Sequence, residues 1–99
     1  MFVMELTYIA PIEDVEDEMD AHVAWLAGHY ANGVFLASGR KVPRDGGVIL
    51  AGGVSRAEIE EIAAGDPFVV AGVCSYRITE FLATRTSADL ATVRENPAI

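Results

Sequence analysis

Few side chains in this sequence can do chemistry near neutral pH: two histidines, His22 and His29, one cysteine, Cys74, and a handful of polar groups beside glycines. His22 falls between Met19 and Leu26 in a run whose apolar residues recur at helical spacing. A histidine buried without partners is costly. It is also the side chain that titrates nearest neutrality, which suits it to general acid–base work. The competing reading is a core histidine bonded to a nearby carbonyl. Asp66 stands between Gly65 and Pro67, the pattern of a helix N-cap whose carboxylate accepts backbone N–H groups. An N-cap aspartate can also face a cavity and hold an imidazole in one tautomer, making the other ring nitrogen the better base. Ser38-Gly39-Arg40 closes an apolar run. There Gly39 would let a ligand or another backbone come close. Ser38 could donate a hydrogen bond, and Arg40 could hold a carboxylate in a bidentate fork. The plainer reading of this triplet is a strand end with an exposed arginine.

Other chemistries lack their spacing. His29 follows His22 by seven residues, whereas a zinc-binding pair on a helix wants i, i+4, and no third ligand is evident. The acids Glu13, Asp14, Glu16, Asp17, Glu18 and Asp20 lack a chelating pattern and suit the positive end of a helix dipole. Cys74 reads as a small buried hydrophobe with no protease signature around it. Gly46-Gly47 and Gly52-Gly53 do not have phosphate-loop spacing. No metal and no cofactor are expected.

The elements that must position these residues follow from periodicity. Phe2 to Ile9 alternates as a strand, with Phe2, Met4, Leu6 and Tyr8 on one face. After Pro11, the stripe Ile12, Val15, Met19, Val23, Leu26 and Tyr30 predicts one amphipathic helix that ends at Asn32-Gly33. Val34 to Val42 and Val48 to Val54 predict two strands of a hairpin around the turn cluster Pro43-Arg44-Asp45-Gly46-Gly47. Ser55-Arg56-Ala57-Glu58 fits a capping box that opens a helix closed by Gly65. Asp66-Pro67 begins a further turn of helix, and Val73 to Phe81 is a last strand. The order is β-α-β-β-α-β, the ferredoxin-like or split βαβ arrangement. It predicts an α+β domain over 1–82 with one antiparallel four-stranded sheet and helices on one face. A C-terminal tail, 83–99, follows, with weak helical character around Ala88 to Val93. The tail reads as frayed or as an arm laid across a neighbour.

The chain has 99 residues, 52% of them hydrophobic and 22% charged, which fits one packed domain. Its net charge is −8, and Lys41 is the one lysine. Nucleic acid and anionic membrane surfaces, both recognised through Lys and Arg, are therefore disfavoured partners. No apolar run is long enough to span a membrane, the first residues lack a signal peptide's positive start, and a lone cysteine fits a reduced compartment. The expected location is the cytoplasm. Apolar residues on both strand faces, Val34, Phe35 and Leu36 in one strand and Val48, Ile49 and Leu50 in another, predict a homodimer or larger homo-oligomer through the sheet.

Several of these pieces, in this order, resemble the YciI-like (YCII-related) family. They are His22-Val23-Ala24-Trp25-Leu26 with Gly33 eleven residues after the histidine, Ala37-Ser38-Gly39, Asp45-Gly46-Gly47, Ser55 with Glu58, Asp66-Pro67-Phe68-Val69, Ala71-Gly72-Val73 and the closing Phe81. The resemblance covers roughly 2–82. It implies a ferredoxin-like sheet, usually dimeric through its face, and a His-Asp active site that carries over to His22 and Asp66, with Ser38 lining the same cavity. Activity in the family includes elimination of hydrogen chloride from a chlorinated hydroxymuconate, a ring-cleavage product. Two departures concern charge: Arg40 stands where many members have proline, and Met19 where many have a basic residue. The expectation is a metal-independent acid–base enzyme of lyase (dehydrochlorinase-like) or isomerase type. Its substrate would be a small organic molecule, carboxylated if Arg40 acts as a fork. The alternative is a non-catalytic module of the same dimeric type that binds a small ligand or a partner. A third reading, from ferredoxin-like dimers that bind haem or oxygenate without a cofactor, rests on Trp25, Tyr8 and Tyr76.

Overall fold

The structure, a computed structural model, describes residues 1–96. Strands β1 (Phe2–Tyr8), β2 (Phe35–Arg40), β3 (Gly46–Ala51) and β4 (Cys74–Glu80) form one sheet in the order β2-β3-β1-β4, with every neighbouring pair antiparallel. Helices α1 (Ile12–Asp17), α2 (Met19–Ala31), α3 (Arg56–Ala64) and α4 (Pro67–Val70) complete the β-α-β-β-α-β order. No helix among the described residues is long and apolar enough to cross a membrane.

Period-two alternation decides which side chains meet the helices. Phe2, Met4 and Leu6 of β1, Ile49 and Ala51 of β3 and Cys74 of β4 are buried against Val15, Ile59, Ala63 and Phe68. Fully burying a side chain of this size contributes about 1.5–3 kcal/mol, so this inner face is the main source of cohesion. The outer face carries Val3, Glu5 and Thr7 from β1 and Ser75, Arg77 and Thr79 from β4, and is mixed in polarity. Val34, Phe35 and Ile49 are buried within the chain, while Leu36, Val48 and Leu50 stay partly exposed.

Local signals explain the helix ends. Ser55 Oγ accepts from the Glu58 N–H at 3.1 Å, and Glu58 Oε1 accepts from the Ser55 N–H at 3.2 Å, closing the capping box. Gly33, at φ +80°, takes the left-handed turn after α2. The expected single helix from Ile12 is instead two, broken at Glu18, whose N–H bonds the Val15 carbonyl at 3.1 Å in an i→i−3 turn. Nothing interrupts the apolar stripe there, so periodicity does not reveal the break. His22 becomes the buried residue of α2, and Val23 is 52% exposed.

The second hairpin strand also differs from expectation. It begins two residues earlier, at Gly46, and ends at Ala51, before Gly52-Gly53. Glycines read as turn residues are in fact ladder residues, Gly46 opposite Thr7 and Gly47 opposite Leu6. A Cβ on Gly46 would lie 1.8 Å from the Leu6 carbonyl oxygen, so the close approach itself requires glycine. In the segment 83–96 a 3-10 helix spans Ala88–Val93, where weak helical character was expected, and Glu95 folds back on the same chain. The Glu95 N–H donates to the Ala83 carbonyl at 2.9 Å, and its Oε1 accepts from the Ala83 N–H at 3.0 Å. The end of the expected tail, 97–99, lies outside the described residues.

Two glycine substitutions should therefore move stability in opposite directions. Gly46→Ala, forced against the Leu6 backbone, is expected to cost about 1–3 kcal/mol or more. Gly28→Ala, inside α2 with open space around it, is expected to add about 0.5–1 kcal/mol. Urea unfolding of both variants checks the pair.

Candidate active site

Asp66 sits at the start of α4, with Pro67 at the first helical position. Its carboxylate is fully buried. An isolated ion there would cost several kcal/mol, and three donors compensate it. The Phe68 N–H donates to Oδ1 at 2.9 Å, and the Tyr76 hydroxyl donates to Oδ2 at 2.5 Å. The third is His22 Nδ1, 2.8 Å from Oδ1 and 44 positions away in the chain. A carboxylate only accepts hydrogen bonds, which assigns the proton to Nδ1 and leaves Nε2 with its lone pair.

The imidazole is fixed in plane as well as in tautomer. The Phe68 ring stacks on it at 3.9 Å between centroids and 9° between planes, and Trp25 lies 5.6 Å away on its own helix. Nε2 has no hydrogen-bond partner among the described residues, and no sealed side-chain nitrogen or oxygen among them lacks one. It therefore keeps access to space outside the packed core. His22 lines a cleft of about 170 Å³ between α2 and the inner face of β1, β2 and β3. Leu6, Leu26 and Phe68 contribute apolar wall, and Ser38, Gly39, Arg40, Tyr8 and Arg44 contribute polar wall and rim. The Ser38 and Tyr30 hydroxyls are 2.6 Å apart. The volume is below the roughly 300–1,000 Å³ of most ligand pockets, a size for a single small ring. Among the described residues no three His, Cys, Asp or Glu side chains come together to hold a metal ion.

A model of the YCII-related domain matches residues 1–82. This chain belongs to the YCII-related family. No curated protein matches the sequence. Among solved structures, it is similar to the 5-chloro-2-hydroxyhydroquinone dehydrochlorinase TftG from Burkholderia phenoliruptrix AC1100, in complex with 2,5-dihydroxybenzoquinone. The two superpose with a TM-score of 0.68 at 18% identity, over 82% of this chain and 93% of that one. At that identity the likeness is one of fold. By its name that enzyme acts on a ring, whereas the resemblance pointed to a ring-opened compound.

In this YCII-related chain the five residues singled out by sequence lie together, though not in equal roles. His22, Ser38, Gly39 and Arg40 line the cleft, while Asp66 stands behind His22 and does not reach the space. His29 packs against Trp25 and Phe35, outside the cleft. Sequence reasoning did not assign Tyr76 to Asp66, Phe68 to the imidazole face, or Arg44 to the rim. Tyr76 had a readable signal: it alternates inward with Cys74 and Ile78 in β4, and a buried tyrosine hydroxyl needs a partner. Arg44, in a turn cluster, carried none.

Burial and the neighbouring Asp66 charge push the Cys74 thiol up from 9.0 to about 11. Burial, then the hydrogen bond to Asp66, push the Tyr76 phenol well above its usual 10.0. Both folded-state values exceed the unfolded ones, so the folded chain holds these protons longer than the unfolded chain does. The corresponding stability is complete below about pH 9 and is lost as pH rises through 11 and beyond. Denaturation midpoints are expected to fall across that range. Tyr76→Phe should lower stability at neutral pH by about 1.5–3 kcal/mol, the range for a hydrogen bond to a charged group, and flatten the decline above pH 10.

Proposed function

We propose that this protein is an acid–base enzyme of lyase or isomerase type, in which His22 moves a proton on a small organic substrate and Asp66 positions it. The observation that carries this reading is the 2.8 Å contact between His22 Nδ1 and the buried Asp66, with Nε2 left for the cleft. Asp66 fixes the tautomer and stabilises the imidazolium that forms when Nε2 takes a proton. Ser38, Gly39 and Arg40 form the substrate-facing wall opposite His22. In a dehydrochlorination Nε2 would accept a proton from carbon or oxygen. The electron pair left behind would form a new double bond as chloride departs with the electrons of its C–Cl bond. No step of this scheme calls on a metal or cofactor.

The fold neighbour's name, a dehydrochlorinase bound to a dihydroxybenzoquinone, makes 5-chloro-2-hydroxyhydroquinone the first substrate to assay, by chloride release. His22→Ala is expected to lower kcat by about 10²–10⁴, the usual share of a general base. Asp66→Asn, which presents an amide N–H to Nδ1 and so favours the wrong tautomer, should act in the same direction. Full turnover in both variants would remove the proposal. One observation favours the non-catalytic alternative: the Asp66 carboxylate already caps α4 and holds Tyr76, duties sufficient to explain its burial. Binding of candidate ligands in the cleft, followed by NMR, with no turnover of any of them would favour that alternative.

The same proposal includes a homodimer through the outer sheet face. Val3, Val48 and Leu50 lie partly exposed there, beside Glu5, which pairs with Lys41 at 3.4 Å and stands opposite Arg77 in register. A face of such mixed polarity is the usual composition of a non-obligate interface. Light scattering is expected to give twice the 10.6 kDa chain mass, and Leu50→Glu should return it to one. A monomer mass at all concentrations overturns this part.

A further inference from the structure

The chain is strongly acidic, with 15 acids against 7 bases, but its cleft is not. Among the described residues no Asp or Glu lines the cleft, and its charged lining groups other than His22 are Arg40 and Arg44. The third base of this short stretch, Lys41, turns to the outer face, 3.4 Å from Glu5 and from the Thr7 hydroxyl. Arg40 is an exposed strand end. Arg44 is less free: its guanidinium lies 5.9 Å from the centroid of the Tyr8 ring and 3.7 Å from Glu16 Oε1, with 31% of its side chain exposed. The contact with the largely exposed Glu16 is long, and such surface pairs contribute little, typically 0–1 kcal/mol. An anion inside the cleft would meet the same guanidinium with less water between them.

The geometry points to Arg44 as the specificity residue of the cleft, selecting a small organic monoanion whose charged oxygen lies at the rim and whose ring or chain reaches toward His22. This deepens the proposed function and rests on its reading of the cleft as the substrate site. The Tyr8 ring lies 5.9 Å from the guanidinium carbon, a cation–π contact, and the guanidinium N–H groups can donate to the anion's oxygens. The negative field of the rest of the molecule would repel such a ligand, so binding requires a local cation, and Arg44 supplies it. A neutral ligand of the same shape gains nothing from it.

Benzoate and benzamide, matched in shape and different in charge, test this in the full chain by NMR titration at neutral pH. Wild type is expected to bind benzoate about tenfold or more tighter than benzamide, as a charge-assisted hydrogen bond implies, and added salt should erode that preference. Arg44→Gln should abolish the preference by weakening benzoate alone, while Arg40→Gln, removing the exposed arginine, should reduce it less. His22→Ala should keep the preference. Equal binding of the two probes by wild type, no benzoate binding, or an undiminished preference in Arg44→Gln overturns the inference. The acid–base reading is judged separately by turnover: full activity of His22→Ala overturns that reading even where the anion preference is intact.

Discussion

A carboxylate with no exposed surface has to be surrounded by donors, and in this protein that requirement organises the space between the sheet and the helices. Asp66 takes one donor from the backbone of its own helix, one from the inward face of β4 and one from α2. Each bond ties a different element to the same two oxygens. The short helix α4 could not hold this position by its own propensity, because four residues are too few for an isolated helix. It is set by the cap, by Pro67, and by Phe68, which is buried beneath the imidazole. The interactions that make the aspartate tolerable thus also fix the histidine's tautomer and plane.

The cleft runs past a stretch of the hairpin that is poor in side chains. Gly39, Gly46 and Gly47 all line it, and of the three Gly47 stands opposite Leu6 on the inner face, where it leaves no side chain. Packed interiors leave few voids larger than a water molecule, so a hollow lined by three glycines and closed on its far side by a histidine is an unusual feature of so small a domain. The charge distribution follows the same division. The acids cluster on α1 and its approach to α2, exposed to solvent, whereas the strand end and hairpin turn bring arginines to the rim.

Much of the architecture was legible in the amino-acid order because the relevant forces are local. Alternation in β1 marked the buried face, Ser55 with Glu58 marked a helix start, and Gly33 marked a helix end. Asp66-Pro67 announced an N-cap for steric and hydrogen-bonding reasons that operate within three residues. Where the reading failed, the local pattern carried no signal. The break at Glu18 leaves the apolar stripe unchanged. Gly46 and Gly47 look like turn residues until β1 is placed against them. The segment after Ala83 has weak local preference, and pairing between Ala83 and Glu95 determines its path.

The residue types and the order of the elements were thus set by the sequence alone, along with the fact that His22 would face inward on a helix. Only the tertiary structure decided what the histidine met there. Nothing local distinguishes a core imidazole bonded to a carbonyl from one held by a carboxylate, because the difference lies in a partner 44 positions away. Tyr76, Phe68 and Arg44 belong with His22 for the same reason. They come from β4, from α4 and from the hairpin turn, and three-dimensional packing alone gathers those segments around the His22–Asp66 pair and its cleft.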